Sequence, residues 1–179
     1  MKVIAFAASN SKNSINKRLV TYAANLLKSK IVPQSEIEIL DLNDFAAPLY
    51  SVDVEAESGI PEAAKSFFAK LGSADIVLVS YAEHNGSYTA AWKSLFDWMS
   101  RIDPKVFQDK PMVVFSTSPG PGGAASVLAA AIGSAQYFGA DIKGSLSIPS
   151  FHDNFDAATN RLTNEKLNSQ LIEAFRSLA

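Results

Sequence analysis

Lys2-Val3-Ile4-Ala5-Phe6-Ala7-Ala8 passes without a break into Ser9-Asn10-Ser11-Lys12-Asn13-Ser14-Ile15-Asn16, and then into a segment carrying Leu19, Tyr22, Ala23, Leu26 and Leu27. The first part is an apolar run of strand length, continuous enough to be covered on both faces of a sheet. The last part repeats at i, i+3, i+4, i+7 and i+8, which puts its apolar side chains on one face of a helix. The turn between them offers hydroxyl or amide side chains at Ser9, Asn10, Ser11, Asn13, Ser14 and Asn16. A strand that turns through a polar loop into a helix is the opening half of a β-α-β unit.

The pattern recurs along the chain. Further runs of strand length are Glu36 to Leu42, Ala74 to Ser80, Pro111 to Thr117 and Asp141 to Ser147. Ile76-Val77-Leu78-Val79 and Met112-Val113-Val114-Phe115 are continuously apolar, whereas Glu36-Ile37-Glu38-Ile39-Leu40 alternates and suits an edge strand. Helical patterns lie between them: Pro61 to Leu71 with proline at N1, Tyr88 to Arg101 with Trp92, Leu95, Phe96 and Met99, Gly122 to Phe138, and finally Asn164 to Leu178. Strict alternation predicts an α/β protein with a three-layer α/β/α arrangement. Its five-stranded parallel sheet takes the order 2-1-3-4-5, with right-handed crossovers. No internal repeat or low-complexity linker interrupts the pattern, so residues 1–179 are read as a single domain.

Composition narrows the function. The chain has 179 residues, 47% hydrophobic and 19% charged, enough for a core without staples. A net charge of −2 without a basic run argues against nucleic acid and anionic lipid as partners. With no cysteine, redox chemistry needs a bound cofactor. His84 and His152 stand far apart in sequence, so no metal site is expected. The apolar run at the start is too short for a signal-peptide core and no stretch has the length of a membrane span, which reads as cytoplasmic with no membrane insertion.

In a sheet of this order a ligand is expected beyond the carboxyl ends of the strands, where the order reverses between the first and third. The loops after strands one, three and four therefore matter most. Residues 9–16 are rich in donors and open a helix whose first N–H groups attract an anion, although a simple helix cap would use one such residue. This loop has neither the G-x-x-x-x-G-K-[ST] of a nucleotide P-loop nor the G-x-G-x-x-G of a dinucleotide fold. Ala82-Glu83-His84-Asn85-Gly86-Ser87 combines a polar turn with neighbouring aromatic rings, and its plain reading is a surface turn. Ser118-Pro119-Gly120-Pro121-Gly122-Gly123 holds three of the nine glycines; it reads either as close backbone approach to a ligand or as a tight strand-to-helix turn. Trp98 with Ala91 and Leu95 marks a second apolar edge on its helix, a candidate subunit interface. Residues 150–160, with Phe151, His152 and Phe155, are a candidate contact or lid.

Together these segments resemble the NADPH-dependent FMN reductase family of flavodoxin-like proteins, which includes quinone, chromate and azo-dye reductases. The family's first loop reads approximately G-S-x-R-x-x-S-x-N. Ser9, Ser14 and Asn16 match it, with Ala8 in place of the glycine and Ser11 in place of the arginine beside Lys12. Its second signature, P-E-Y-N-x-S before a helix with K-x-x-x-D-W, is matched by Ala82-Glu83-His84-Asn85-Gly86-Ser87 and by Lys93 to Trp98. Ser118, Gly120, Gly122 and Gly123 match the third, glycine-rich loop.

The resemblance implies an oxidoreductase that moves hydride from NADPH or NADH to bound FMN, then electrons to a small-molecule acceptor such as a quinone, an azo or nitro compound, a metal oxyanion or free flavin. Ser9, Ser11, Lys12, Ser14, Ile15 and Asn16 fall on the phosphate. Ala82, Glu83, His84, Asn85, Gly86 and Ser87, with Ser118, Pro119, Gly120, Gly122 and Gly123, fall around the ring. No side chain is implied as catalytic acid or base, since flavin N5 carries the chemistry. A homodimer or homotetramer is implied as well. A flavodoxin-type electron carrier shares the fold and cofactor but is usually strongly acidic with a Thr-rich phosphate loop. A flavin-less binding or regulatory module is separated from the enzyme by measured NAD(P)H turnover.

Overall fold

The computed structural model describes residues 1–178. Five strands, β1 (Lys2–Ala8), β2 (Glu36–Leu40), β3 (Ile76–Tyr81), β4 (Lys110–Thr117) and β5 (Ala140–Ile148), pair in parallel in the order β2-β1-β3-β4-β5. This is the doubly wound arrangement of the sequence reading, with the switch point between β1 and β3. β1 alternates its burial: Val3 and Ala5 join the cluster on one face, while Ile4, Phe6 and Ala8 join that on the other. Both faces are therefore dry, which explains why the central strands read as unbroken apolar runs.

The helices divide between the two faces. Helices α1 (Ile15–Lys30) and α7 (Glu165–Ala174) cover one; Leu19, Val20, Ala23, Leu27, Leu171 and Phe175 are fully buried. Helices α3 (Glu62–Gly72), α4 (Ala90–Ser100) and α5 (Ala125–Ala135) cover the other, around an aromatic core in which Phe6 meets Phe67 at 5.0 Å edge-on and Trp92 at 5.2 Å. No helix among the described residues is long and apolar enough to cross a membrane.

The structure corrects several boundaries. β2 ends at Leu40, because Asp41 accepts the Asn43 N–H and starts a 3-10 turn at Leu42–Phe45. Pro61 is the N-cap of α3 rather than its first helical residue. Helix α4 begins at Ala90 with Thr89 as its cap, since Ser87–Tyr88 is drawn into a short antiparallel ribbon with Glu83–His84. Helix α5 starts at Ala125, after Gly123 and Ala124 both turn left-handed. Two short helices escaped the reading, α2 (Val52–Ser58) and α6 (Phe151–Asn154). The first buries no residue and so leaves no apolar stripe to detect; Ser51 caps it and Gly59, at φ +70°, ends it.

One candidate interface and one candidate lid are withdrawn. Trp98 is fully buried inside its own chain, with its indole N–H donating to the Pro48 carbonyl at 2.8 Å and Tyr50 standing edge-on at 4.9 Å. In residues 150–160, Phe151 and Phe155 are buried and stacked at 4.6 Å in the core under β5, so this segment is anchored and not a free lid.

Candidate functional site

The three loops meet at the carboxyl end of the sheet. A cavity of about 250 Å³ is lined by Ser9, Ser11, Asn13, Ser14, Ile15 and Asn16 from the first, by Ala82, Glu83 and His84 from the second, and by Thr117, Ser118 and Pro119 from the third. Parallel pairing brings them together: Ala8 stands beside Tyr81 and Tyr81 beside Ser116, so all three chains leave the sheet at one level.

A single side chain knots the strand ends. Asn16, 3% exposed in the first turn of α1, accepts hydrogen bonds at Oδ1 from Ser80 Oγ (2.7 Å) and the Thr117 N–H (3.1 Å). Its Nδ2 donates to the Thr117 carbonyl at 3.2 Å. The carboxamide thus ties β3 to β4, and the backbone N–H of Asn16 is left for a ligand in front of the helix. Thr89 does similar work for α4, capping the Trp92 N–H at 3.2 Å while its hydroxyl donates to the Ala8 carbonyl at 2.9 Å.

The first loop fits a phosphate. Ser14 caps α1, its Oγ accepting the Lys17 N–H at 3.1 Å and its carbonyl accepting the Arg18 N–H at 3.2 Å. The N–H groups of Ile15 and Asn16 have no acceptor within the helix and point out of its positive end. Ser9 Oγ accepts the Ser11 N–H at 3.2 Å. Since the oxygens of Ser9 and Ser14 are occupied as acceptors, their hydroxyl protons remain free to donate to an anion. Lys12 lies outside this cavity and lines a neighbouring groove. Lys17, one turn along, is ion-paired to Asp41, and that hydrogen bond holds the Asp41 carboxyl below the usual carboxylate range.

The second and third loops are bound to each other. Glu83 Oε2 accepts the Val127 N–H at 2.8 Å and so caps α5 from across the site, where the helix's own N-cap, Ala124, has no side-chain oxygen. Gly123 is required by its fold: at φ +60° an added Cβ would meet Ser147 Oγ and the Ile148 backbone carbonyl carbon. Gly120 and Gly122 are different, because a Cβ on either meets no protein atom within 4 Å, leaving space for a flat group to approach the backbone. Asn85 and Gly86, at φ 53° and 75°, make the two-residue turn of the ribbon, which is the plain reading of that dipeptide. Asn85, Gly86 and Ser87, like Gly120, Gly122 and Gly123, do not line the cavity itself. Burial pushes the Tyr81 and Tyr88 phenols up.

Glu83→Gln is expected to cost about 1 kcal/mol of stability, because a neutral amide replaces a charge-assisted cap at a helix N-terminus. Chemical denaturation measures it. A loss confined to the glycine loop and α5 in hydrogen exchange locates it there.

Sequence reading missed Ser80, Thr89 and Thr117. Each is a polar residue at the end of an apolar strand or the start of a helix, and only their convergence on Asn16 and Ala8 gives them a role.

The family model for NADPH-dependent FMN reductase matches residues 1–153. An NADPH:quinone oxidoreductase of Arabidopsis thaliana is 35% identical over 126 residues, covering 70% of this chain and 62% of the relative. An NAD(P)H-dependent FMN reductase of Pseudomonas aeruginosa is 31% identical over 120 residues, covering 67% of this chain and 61% of the relative. The matched stretch thus spans about three fifths of these relatives' own length. Among solved structures, the flavoenzyme NAD(P)H:(acceptor) oxidoreductase FerB of Paracoccus denitrificans superposes with a TM-score of 0.73 at 26% identity, covering 97% of this chain and 94% of that one.

Proposed function

The chain belongs to the NADPH-dependent FMN reductase family, and from that premise we propose that it is an FMN-dependent NAD(P)H oxidoreductase acting on small-molecule acceptors of the quinone type. The observation that carries the proposal is the single cavity in which the donor-rich loop, the ribbon and the glycine loop converge. Bound FMN supplies the hydride-accepting and electron-donating chemistry. The protein's part is to bind and orient it. Ser9, Ser11 and Ser14, with the N–H groups of Ile15 and Asn16, hold the phosphate by neutral hydrogen bonds in front of a helix N-terminus. Asn16 fixes the loops relative to one another. Glu83 pins the glycine loop, and Gly120 and Gly122 would leave room for the ring and for hydrogen bonds to it from the loop's backbone N–H groups. Ala82, His84, Ser118 and Pro119 form the rim. No side chain on this cavity is needed as a proton donor or acceptor for hydride transfer.

The proposal extends to assembly and setting. Residues 1–179 act as one flavodoxin-like FMN-binding domain, in a homodimer or homotetramer. Leu49 and Val52, 75% and 71% exposed beside an apolar hollow of about 290 Å³ against α4, supply surface for a second copy. A cytoplasmic setting, where reduced nicotinamide nucleotides are made, completes the reading.

The test is rapid-mixing reduction of the FMN-loaded protein with NADH and NADPH, followed by mixing with a panel of acceptors. The flavin band is expected to bleach with the nucleotide and return with a quinone. Failure to bind FMN overturns the proposal, and FMN binding without reduction leaves a carrier or binding module in its place.

A further inference from the structure

Beside the flavin cavity lies a larger groove of about 750 Å³, and the two share Asn13 and Ser14 as a common wall. Its charge is one-sided. Lys12, Lys17, Arg18 and Arg161 line it, and no carboxylate does, in a chain whose acidic residues outnumber its basic ones, 18 to 16. Lys17 is the only one of the four that is ion-paired among the described residues, to Asp41. Asp156 faces Arg161 across the ribbon Phe155–Asp156/Arg161–Leu162, but its oxygens are taken by the Ala158 N–H (2.8 Å) and the Thr159 hydroxyl (2.6 Å). Those bonds, more than Arg161, hold its carboxyl low, and they shape the turn that presents Thr159, Asn160 and Arg161 to the groove. Tyr22 forms an aromatic wall, its hydroxyl fixed on Asn168 at 2.6 Å. Beyond Arg161 the adjoining hollow does carry an acidic group, Glu165.

Arg18 and Arg161 sit far apart in sequence and share a groove only in the fold. Both line the one groove, and a guanidinium is the side-chain donor best suited to a phosphate monoester. The groove's volume suits part of a nucleotide.

We infer that this groove is the subsite for the phosphorylated adenosine end of NADPH, and that Arg18 and Arg161, by engaging its 2′-phosphate, set a preference for NADPH over NADH. The inference rests on the flavoenzyme reading above and adds to it the nucleotide that the chain selects. NADPH differs from NADH by one phosphate monoester, so the preference reports contact with that group alone.

The experiment is calorimetric titration of adenosine 2′,5′-bisphosphate and of ADP into protein with and without saturating FMN. The wild type is expected to bind the bisphosphate at least tenfold more tightly than ADP. The double variant Arg18→Ala/Arg161→Ala, altered at two exposed positions, is expected to lose that preference while keeping its affinity for FMN. Thr21→Glu, which sets a carboxylate in the groove, should weaken the bisphosphate selectively. In steady state the double variant raises KM for NADPH and leaves kcat and the NADH parameters unchanged. Equal binding of the two nucleotides, a preference that survives both substitutions, or equally tight binding of inorganic phosphate overturns the inference. Loss of FMN binding in the wild type overturns the flavoenzyme reading instead, and the titration without FMN still reads the groove on its own.

Discussion

Ser14→Asp is expected to lower FMN affinity about a hundredfold while the domain stays folded. Aspartate is as good an N-cap as serine, so the Lys17 N–H keeps its acceptor and α1 keeps its start. What changes is charge. A carboxylate within about 4 Å of a phosphate, at an effective dielectric near 20, repels it by about 4 kcal/mol per charge pair. Solvent at the loop reduces this to about 3 kcal/mol, on the order of a hundredfold in Kd. Titration of FMN by fluorescence quenching, with circular dichroism as the fold control, measures both halves of the expectation. Ser14→Asn, a neutral cap, separates the charge from the lost hydroxyl and should cost far less. Full FMN occupancy in Ser14→Asp would remove this loop from the phosphate site.

Asn16→Ala is expected to have the largest effect on stability. It strips the partner from Ser80 Oγ and from both the N–H and the carbonyl of Thr117, all buried at the strand ends. At the low end of the roughly 1–3 kcal/mol per stranded buried group, three groups total about 3–5 kcal/mol, a fall in Tm on the order of 10 °C for a chain of this size. Ser80→Ala removes one of the three bonds and should cost about a third as much. FMN affinity falls too in Asn16→Ala, because the loops after β1, β3 and β4 lose their common fixing point. A Tm unchanged within a few degrees would show that backbone pairing alone registers the strand ends.

The expectation for Asn16 was placement on a phosphate, by match to a motif. In the fold its carboxamide is turned inward and its backbone N–H outward, so one residue serves the scaffold and the loop at once. Glu83 follows the same pattern. It sits in a loop expected to surround a ring, and its carboxylate caps a helix that begins beyond the next strand. Motif positions mark where a residue is needed, and the direction of its side chain decides what it is needed for.

What the sequence determined by itself is what depends on near neighbours: the five strands from their apolar runs, the covering helices from their stripes, the order of the sheet from strict alternation, and the loops at its carboxyl end. Burial is periodic along a strand or a helix, so the pattern is local and legible. The tertiary structure decided what depends on distant residues meeting: that Asn16 ties Ser80 to Thr117, that Trp98 is covered by Pro48 and Tyr50 and is no interface, and that Arg18 and Arg161 share a groove with Lys12 and Lys17. A hydrogen bond or a field between charges depends on separation in space. That separation is set only when crossovers bring far segments side by side.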